Sequence, residues 1–328
     1  MAPHSANEEL MIEGDIHNKV TVASPRKSEI VYWNVAVFIY YHLAAIYGSY
    51  FCFSTALWST ILFAITLFWL SGIGIIAGVH RLWSHKSYKA KLPLQIFLMI
   101  CHTIANQHSV IHWVRDHRLH HKYSDTDADP HNASRGFFFS HVGWLMVKKH
   151  PEVMKRGKLI DISDVKRNPV LMFQHKHNMW FIPLVAFLLP TIIPHYLWGE
   201  SLSTAWHLNM FRYILNLNCT FCINSFAHLY GHRPYDRNIG AAQNMGVYLV
   251  TLGEGFHNYH HVFPCDYKSN EFGKVFNVMT SFILFCERLG LAYDLKTVSE
   301  DVARARMRRT GDGSLPPAFE RDSIVDSS

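Results

Sequence analysis

Acidic and basic side chains are missing from large parts of this sequence. Tyr32 to Phe53 and Leu57 to Val79 contain no Asp, Glu, Lys or Arg. Each is long enough to cross a hydrocarbon core, which takes about 20 residues of helix. A second pair of segments, Trp180 to Trp198 and Ala205 to Ala227, holds a single such charge, Arg212, and is joined by a short connection containing Glu200. That distribution argues against the one large or two modest soluble domains that 328 residues would otherwise allow. The four segments read as two helical hairpins.

Other absences narrow the class. The six cysteines, Cys52, Cys101, Cys219, Cys222, Cys265 and Cys286, show no spacing suited to a secreted disulfide scaffold. Cys219 and Cys222 form a C-x-x-C, but within an apolar helix, where small packing residues are the expected reading. Residues 1–30 lack the apolar stretch and small-residue cleavage site of a secretory signal and are expected to be a flexible cytosolic tail. Residues 314–328, with two prolines and a run of Ser and Asp, read as a second flexible tail. No lipidation box and no terminal signal of the Lys-Asp-Glu-Leu type is found.

Histidine, by contrast, is abundant. Eight histidines fall in three packets, His80-Arg-Leu-Trp-Ser-His85, His117-Arg-Leu-His120-His121 and His257-Asn-Tyr-His260-His261. Each hairpin returns the chain to the side it left, so all three packets share one face of the membrane. The connections inside the hairpins carry no Lys or Arg, whereas the regions before, between and after them hold every basic residue except Arg212. By the positive-inside rule that face is cytoplasmic. The formal charge of +6 follows from this asymmetry, suits anionic lipid or an anionic substrate, and requires no nucleic-acid partner. Leu92 to Trp113 is apolar at first and then polar; it reads as a helix that dips into the membrane surface or lies along it, not as a further span.

Imidazole is the commonest side-chain ligand for iron, zinc and copper, and packing alone does not account for eight of them in this pattern. In both H-x-x-H-H packets the i, i+3, i+4 spacing brings the ligands to one face of a helix. His80 and His85 are five residues apart, so both can bind only if their helix ends or bends nearby. Asn224 and His228, at i and i+4 near the inner end of the last segment, suit a helix-to-helix hydrogen bond and a ligand pair equally well. Asp116 and Glu254 are either acceptors for the outer N–H of ligating imidazoles or ordinary solvated charges. This many histidines overfills a zinc site, which is usually four-coordinate, and haem would need only two, placed within the spans. A pair of iron ions fits better, activating O2 beside a membrane where the natural substrate is an acyl chain.

The order HRLWSH, HRLHH, HNYHH, with WVRDHRLHHKYSDTDADPHN around the second packet and GEGFHNYHHVFP around the third, resembles the membrane acyl-CoA desaturases of the stearoyl-CoA desaturase type. The resemblance runs from about Tyr32 to Gly313, and its wording is most similar to the insect branch, which includes moth enzymes that make pheromone precursors. It implies an all-α integral membrane protein of the endoplasmic reticulum. Four transmembrane helices, about 32–53, 57–79, 180–198 and 205–227, would carry a cytosolic histidine-rich cap of 80–179 and 228–310 within a desaturase domain of 31–313. Both termini would be cytosolic.

By the same resemblance, two irons are held by His80, His85, His117, His120, His121, His228, His257, His260 and His261, with Asn224 acting through a water. The reaction implied is removal of two hydrogens from a fatty acyl-CoA, using O2 and electrons from cytochrome b5 and its reductase. Histidine boxes are shared with membrane hydroxylases, so a hydroxylase or bifunctional desaturase is the alternative. Contacts to the CoA headgroup map to Arg115, Asp116, Lys148 and Lys149, and His108 stands where the family usually has Asn. The tunnel bend maps to Gln107, Trp113 and Thr220, followed by Phe221 where Trp is common. The closed end of the tunnel maps to Phe68 and Gly72. Double-bond position, chain length and the division of ligands between the irons do not follow from this pattern.

Overall fold

The structure, a computed structural model, describes residues 28–251, 253–270 and 277–314. Residues 1–27 and 315–328 of the two expected tails lie outside them. The principal helices are α1 (Tyr32–Ser54), α2 (Trp58–Ile73), α3 (Leu92–Ala105), α4 (Val110–Tyr123), α5 (Asn178–Pro183), α6 (Leu189–Trp198), α7 (Leu202–Leu229), α8 (His257–Val262), α9 (Val278–Arg288) and α10 (Glu300–Thr310). Extended structure is confined to a two-residue antiparallel pair, Lys89–Ala90 with Ala292–Tyr293, and isolated bridges among the described residues.

Three continuous helical stretches, Tyr32–Ser54, Trp58–Ser84 and Asn178–Trp198, are long and apolar enough to cross a membrane. The fourth expected segment, α7, is the longest helix at 28 residues. It is less apolar, because Asn209, Arg212, Asn216 and Asn218 lie within it. It packs along α1 so closely that a Cβ on Gly48 would sit 1.9 Å from the His207 carbonyl oxygen. The tips of the two hairpins meet: the buried Glu200 carboxylate accepts the Leu57 N–H at 2.9 Å and the Thr60 hydroxyl at 2.7 Å. That contact caps the start of α2 with an acid, which suits the positive end of a helix dipole.

The second stretch ends between His80 and His85, as their spacing requires, but not as a regular α-helix. Beyond Ile73 it continues as a π-helix, Gly74–Ser84, in which each N–H bonds to the fifth carbonyl before it. Residues five apart then lie one above the other, and the His85 N–H closes on the His80 carbonyl at 3.1 Å. The wider turn is pressed against α3; a Cβ on Gly74 would lie 2.1 Å from the His102 nitrogen.

Leu92 to Trp113 is two helices and not one. α3 stops at Asn106, which takes the left-handed conformation at φ 49°, and His108 repeats it at φ 63°. α4 then starts anew at Val110. At 14 residues, α3 is about 21 Å long, too short to cross a core of about 30 Å. Residues 28–30, assigned from sequence to the end of a loose tail, are paired with the chain at 146–148 through the Ile30–Val147 bridge and the Val31 N–H to Met146 carbonyl bond.

The main apolar core lies where the π-helix, α3, α4 and α9 meet, with Ile76, Val79, Leu98, Val114, Met279 and Ile283 buried in it. A second core between α1 and α7 includes Ala44, Ala45, Tyr213 and Phe221. The histidines sit at the rim of the first.

Candidate metal centre

Four elements deliver the nine histidines: the π-helix carries His80 and is capped by His85, α4 carries His117, His120 and His121, the last turn of α7 carries His228, and α8 carries His257, His260 and His261. They form two groups, His80, His85, His117, His121 and His260 in one, and His120, His228, His257 and His261 in the other. Within each group, one ring nitrogen per residue lies within 4.8 Å of all the others. The groups adjoin, since the rings of His121 and His261 stack at 4.1 Å between centroids.

The H-x-x-H-H spacing therefore does something finer than bring three ligands to one region. α4 gives its i and i+4 histidines, His117 and His121, to the first group and its middle one, His120, to the second. α8 does the reverse: His257 and His261 belong to the second group and His260 to the first.

Facing Nε2 atoms approach at 2.9 Å for His80 and His260, 2.7 Å for His85 and His117, 3.0 Å for His121 and His260, 3.0 Å for His228 and His257, and 3.1 Å for His257 and His261. Imidazoles bound to one metal ion at about 2.1 Å and at right angles would be about 3.0 Å apart. Three of the outer nitrogens are held by carboxylates, as those of metal ligands usually are. His80 Nδ1 faces Glu254 at 3.3 Å, His120 Nδ1 faces Asp129 at 2.9 Å and His228 Nδ1 faces Asp125 at 3.1 Å. The donor set fits two ions.

Of the two acids expected behind the ligands, Glu254 is there and Asp116 is not. Asp116 is turned toward Arg115 at 2.7 Å and is paired with Lys149. The sequence reading missed Asp125 and Asp129, although both stand in the acid-rich run Ser-Asp-Thr-Asp-Ala-Asp-Pro-His that follows the second packet. Asp125 lies so close to Gly240 that a Cβ there would be 1.9 Å from its Oδ2.

The remaining residues of the packets build the frame. Arg81 is buried, paired with Glu254, and donates to the Tyr267 carbonyl at 2.8 Å and Thr280 Oγ1 at 3.1 Å. Arg118 donates to the carbonyls of Trp83 at 2.7 Å and Ser84 at 3.0 Å, which end the π-helix, and is anchored by Asp164 at 2.7 Å. Asn258 accepts the N–H groups of Tyr235 and Asp236 and donates to the carbonyls of Asp236 and Ala241, so the third packet holds the loop after α7.

Burial keeps seven of the nine imidazoles neutral and ready to bind. It holds His85 down at about 3 and, with the repulsion of neighbouring rings, pushes His117, His121, His257, His260 and His261 well below their ordinary 6.5. His120 goes the other way: burial opposes its charge, but the Asp129 carboxylate outweighs burial and raises it. For the depressed group, the unfolded chain binds more protons than the folded one as pH falls from 6.5 to about 3. Stability is then lost in that window at about 1.4 kcal/mol per pH unit for each proton. We expect the metal-free protein in detergent to melt progressively lower below pH 6.5; a melting temperature unchanged down to about pH 4.5 would contradict neutral burial.

The residues assigned to the tunnel bend are joined to one another. Gln107 donates to Thr220 Oγ1 at 2.9 Å and accepts the Trp113 indole N–H at 3.2 Å, and the Trp113 ring stacks on His117 at 4.7 Å. Phe221 is buried against His141 and Trp144. Arg115, Asp116 and Lys149 form one ion-pair cluster, with His108 close enough to feel their charges; burial, then Lys149, lowers its pKa. Lys148 is not part of that cluster; it is exposed and paired with Glu29 at 2.7 Å. Asn224 lies one turn before His228 on α7. Phe68 is half-buried and Gly72 buried on α2, Gly72 being roughly 12 Å along the helix from His80.

A fatty acid desaturase family model matches residues 54–295. The chain is 61% identical over 292 residues to an acyl-CoA Delta(11) desaturase of Trichoplusia ni, covering 89% of this chain and 84% of that protein. It is 54% identical to an acyl-CoA Delta-9 desaturase of Acheta domesticus, over 88% of this chain and 81% of that one. With stearoyl-CoA desaturase 5 of Bos taurus the identity is 50%, over 89% and 87%. Insect enzymes are thus among its high-identity relatives, as the wording of the motifs implied, and the chain belongs to the fatty acid desaturase family.

Proposed function

We propose that this protein is an acyl-CoA desaturase that holds two irons between its nine histidines and introduces a double bond into a fatty acyl-CoA. The observation that carries the reading is the pair of adjoining histidine groups with facing Nε2 atoms 2.7 to 3.1 Å apart. His80, His85, His117, His121 and His260 would hold one ion, and His120, His228, His257 and His261 the other, with Asn224 acting through a water. The desaturase names of relatives at 50 to 61% identity support the substrate class.

An alkyl C–H bond has no useful acidity, so side-chain acid–base chemistry cannot break it. The irons, with O2 and two electrons, supply the oxidising power. This chain's own residues bind, orient and exclude water. Trp113, stacked on His117 and held by Gln107, lines the approach to the first group. Arg115 and Lys149 are placed to meet the phosphates of CoA, the one through paired donors and the other as a point charge. In this reading all four apolar segments span the endoplasmic reticulum membrane, both termini and the histidine cap face the cytosol, and cytochrome b5 with its reductase delivers the electrons.

The test is expression in a yeast lacking its own desaturase, with mass-spectrometric location of double bonds in the acyl chains. Monounsaturated acyl chains and growth without added unsaturated fatty acid are the expected result. A hydroxylated acid as main product, or saturated chains only from folded, iron-loaded protein, would overturn the reading.

A further inference from the structure

A guanidinium in the middle of a buried apolar helix has five N–H donors to satisfy without water. Arg212 is 3% exposed in α7. Its Nε donates to Asn209 Oδ1 at 2.9 Å, and a terminal nitrogen donates to Ser71 Oγ on α2 at 3.0 Å. The fork also reaches the backbone oxygens of Ile104, at 3.4 and 3.5 Å, and Ala186, at 3.5 Å. No carboxylate appears among these contacts. The side chain serves as a branched donor to neutral oxygens.

Both carbonyls are ones the chain itself leaves open. Ile104 is the penultimate residue of α3, and the last carbonyls of a helix have no partner within it. Ala186 stands four residues before Pro190, which has no N–H to return; Asn209 Nδ2 reaches the same oxygen at 3.0 Å. Arg212 therefore ties α2, α3 and the π-helical turn Leu184–Leu188 to α7.

Eight residues further along the same helix, Thr220 accepts from Gln107. One helix thus grips both ends of the single turn Ile104 to Gln107, and that turn positions Trp113 against His117. On the desaturase reading, a shift of this turn by the length of one methylene would present a neighbouring C–H pair to the histidine centre. We propose that Arg212 is a specificity-determining positioning residue, which sets the position of the double bond by holding the Ile104–Gln107 turn in register with Thr220.

The experiment compares Arg212→Met, Arg212→Lys and Gln107→Ala in the full-length protein expressed in desaturase-deficient yeast. Iron per chain and monodispersity in detergent are measured beside double-bond position. The share of product unsaturated away from the wild-type position should rise roughly tenfold in Arg212→Met, less in Arg212→Lys, with iron retained. Gln107→Ala should shift the same positions, and adding Arg212→Met to it should shift them little further, because both act on one turn. An unchanged positional profile with iron retained would overturn the proposal. So would loss of folded protein in both Arg212 variants, which would assign the residue to folding alone. A wild-type protein that makes no double bond would instead overturn the desaturase reading itself.

Discussion

His260→Ala should leave less than about a hundredth of the wild-type product and lower the iron bound per chain. His260 is the hub of the first histidine group: its Nε2 lies 2.9 Å from that of His80 and 3.0 Å from that of His121. Removing a mere outer partner of a metal-bound histidine commonly costs 10- to 100-fold in affinity or activity, and removing a ligand outright should cost more. No neighbour can replace it, because His257 and His261 on the same helix are committed to the other group. The measurement is product analysis in the deficient yeast, with iron determined on the purified protein. If His260→Ala kept a tenth or more of wild-type product at equal expression, the assignment of ligands would be wrong.

Glu254→Ala should lower stability by about 3–5 kcal/mol, the usual result of stripping one partner from a buried ion pair. The side chains of Arg81 and Glu254 are 1% and 4% exposed. Without the carboxylate, the guanidinium keeps only the Tyr267 carbonyl and Thr280 as acceptors. His80 would lose the group behind its Nδ1 at the same time, so iron affinity should fall about 10- to 100-fold. Glu254→Gln keeps the shape and one acceptor oxygen and should fall between. Thermal unfolding in detergent separates the two effects: the metal-free Glu254→Ala protein should melt roughly 5 °C lower, and the iron-loaded one lower still relative to its control. An unchanged melting temperature in the metal-free protein would show that the pair contributes nothing.

Much of the centre could be read from the sequence because its ligands are local. The spacing within His117-Arg-Leu-His120-His121 and within His257-Asn-Tyr-His260-His261 is a property of a helix, and both stretches are helices. The apolar segments were likewise visible, since an uncharged run of this length has few other folds. What was not legible depends on contacts distant in sequence. The spacing of His80 and His85 demands an irregular helix, but nothing in Gly74 to Ser84 specifies a π-helix; it is held by Arg118, from the next packet, on the carbonyls of Trp83 and Ser84. Helical spacing says which histidines share a face, not which partner ring each meets, so the exchange of the middle histidines could not be foreseen. Asp116 adjoins the second packet in sequence and Asp125 lies four residues beyond it, yet only Asp125 finds a packet or α7 imidazole, because Lys149 and Arg115 draw Asp116 away. The same applies to Lys148 and Lys149, neighbours that end in different ion pairs.

The crossed donation of histidines by α4 and α8 bears on the order in which the protein is made. Neither helix can complete an ion's ligand set, and the two are separated by more than a hundred residues of chain, including the 28-residue α7. On the two-iron reading proposed above, each ion would be a rivet joining the middle of the polypeptide to its last third. A ribosome-bound fragment ending before His257 would present His80, His85, His117 and His121 without His260, and His120 and His228 without His257 and His261. On that reading metal loading would follow synthesis of the last third, and the iron content of a cellular pool of this protein would count the chains that have finished folding.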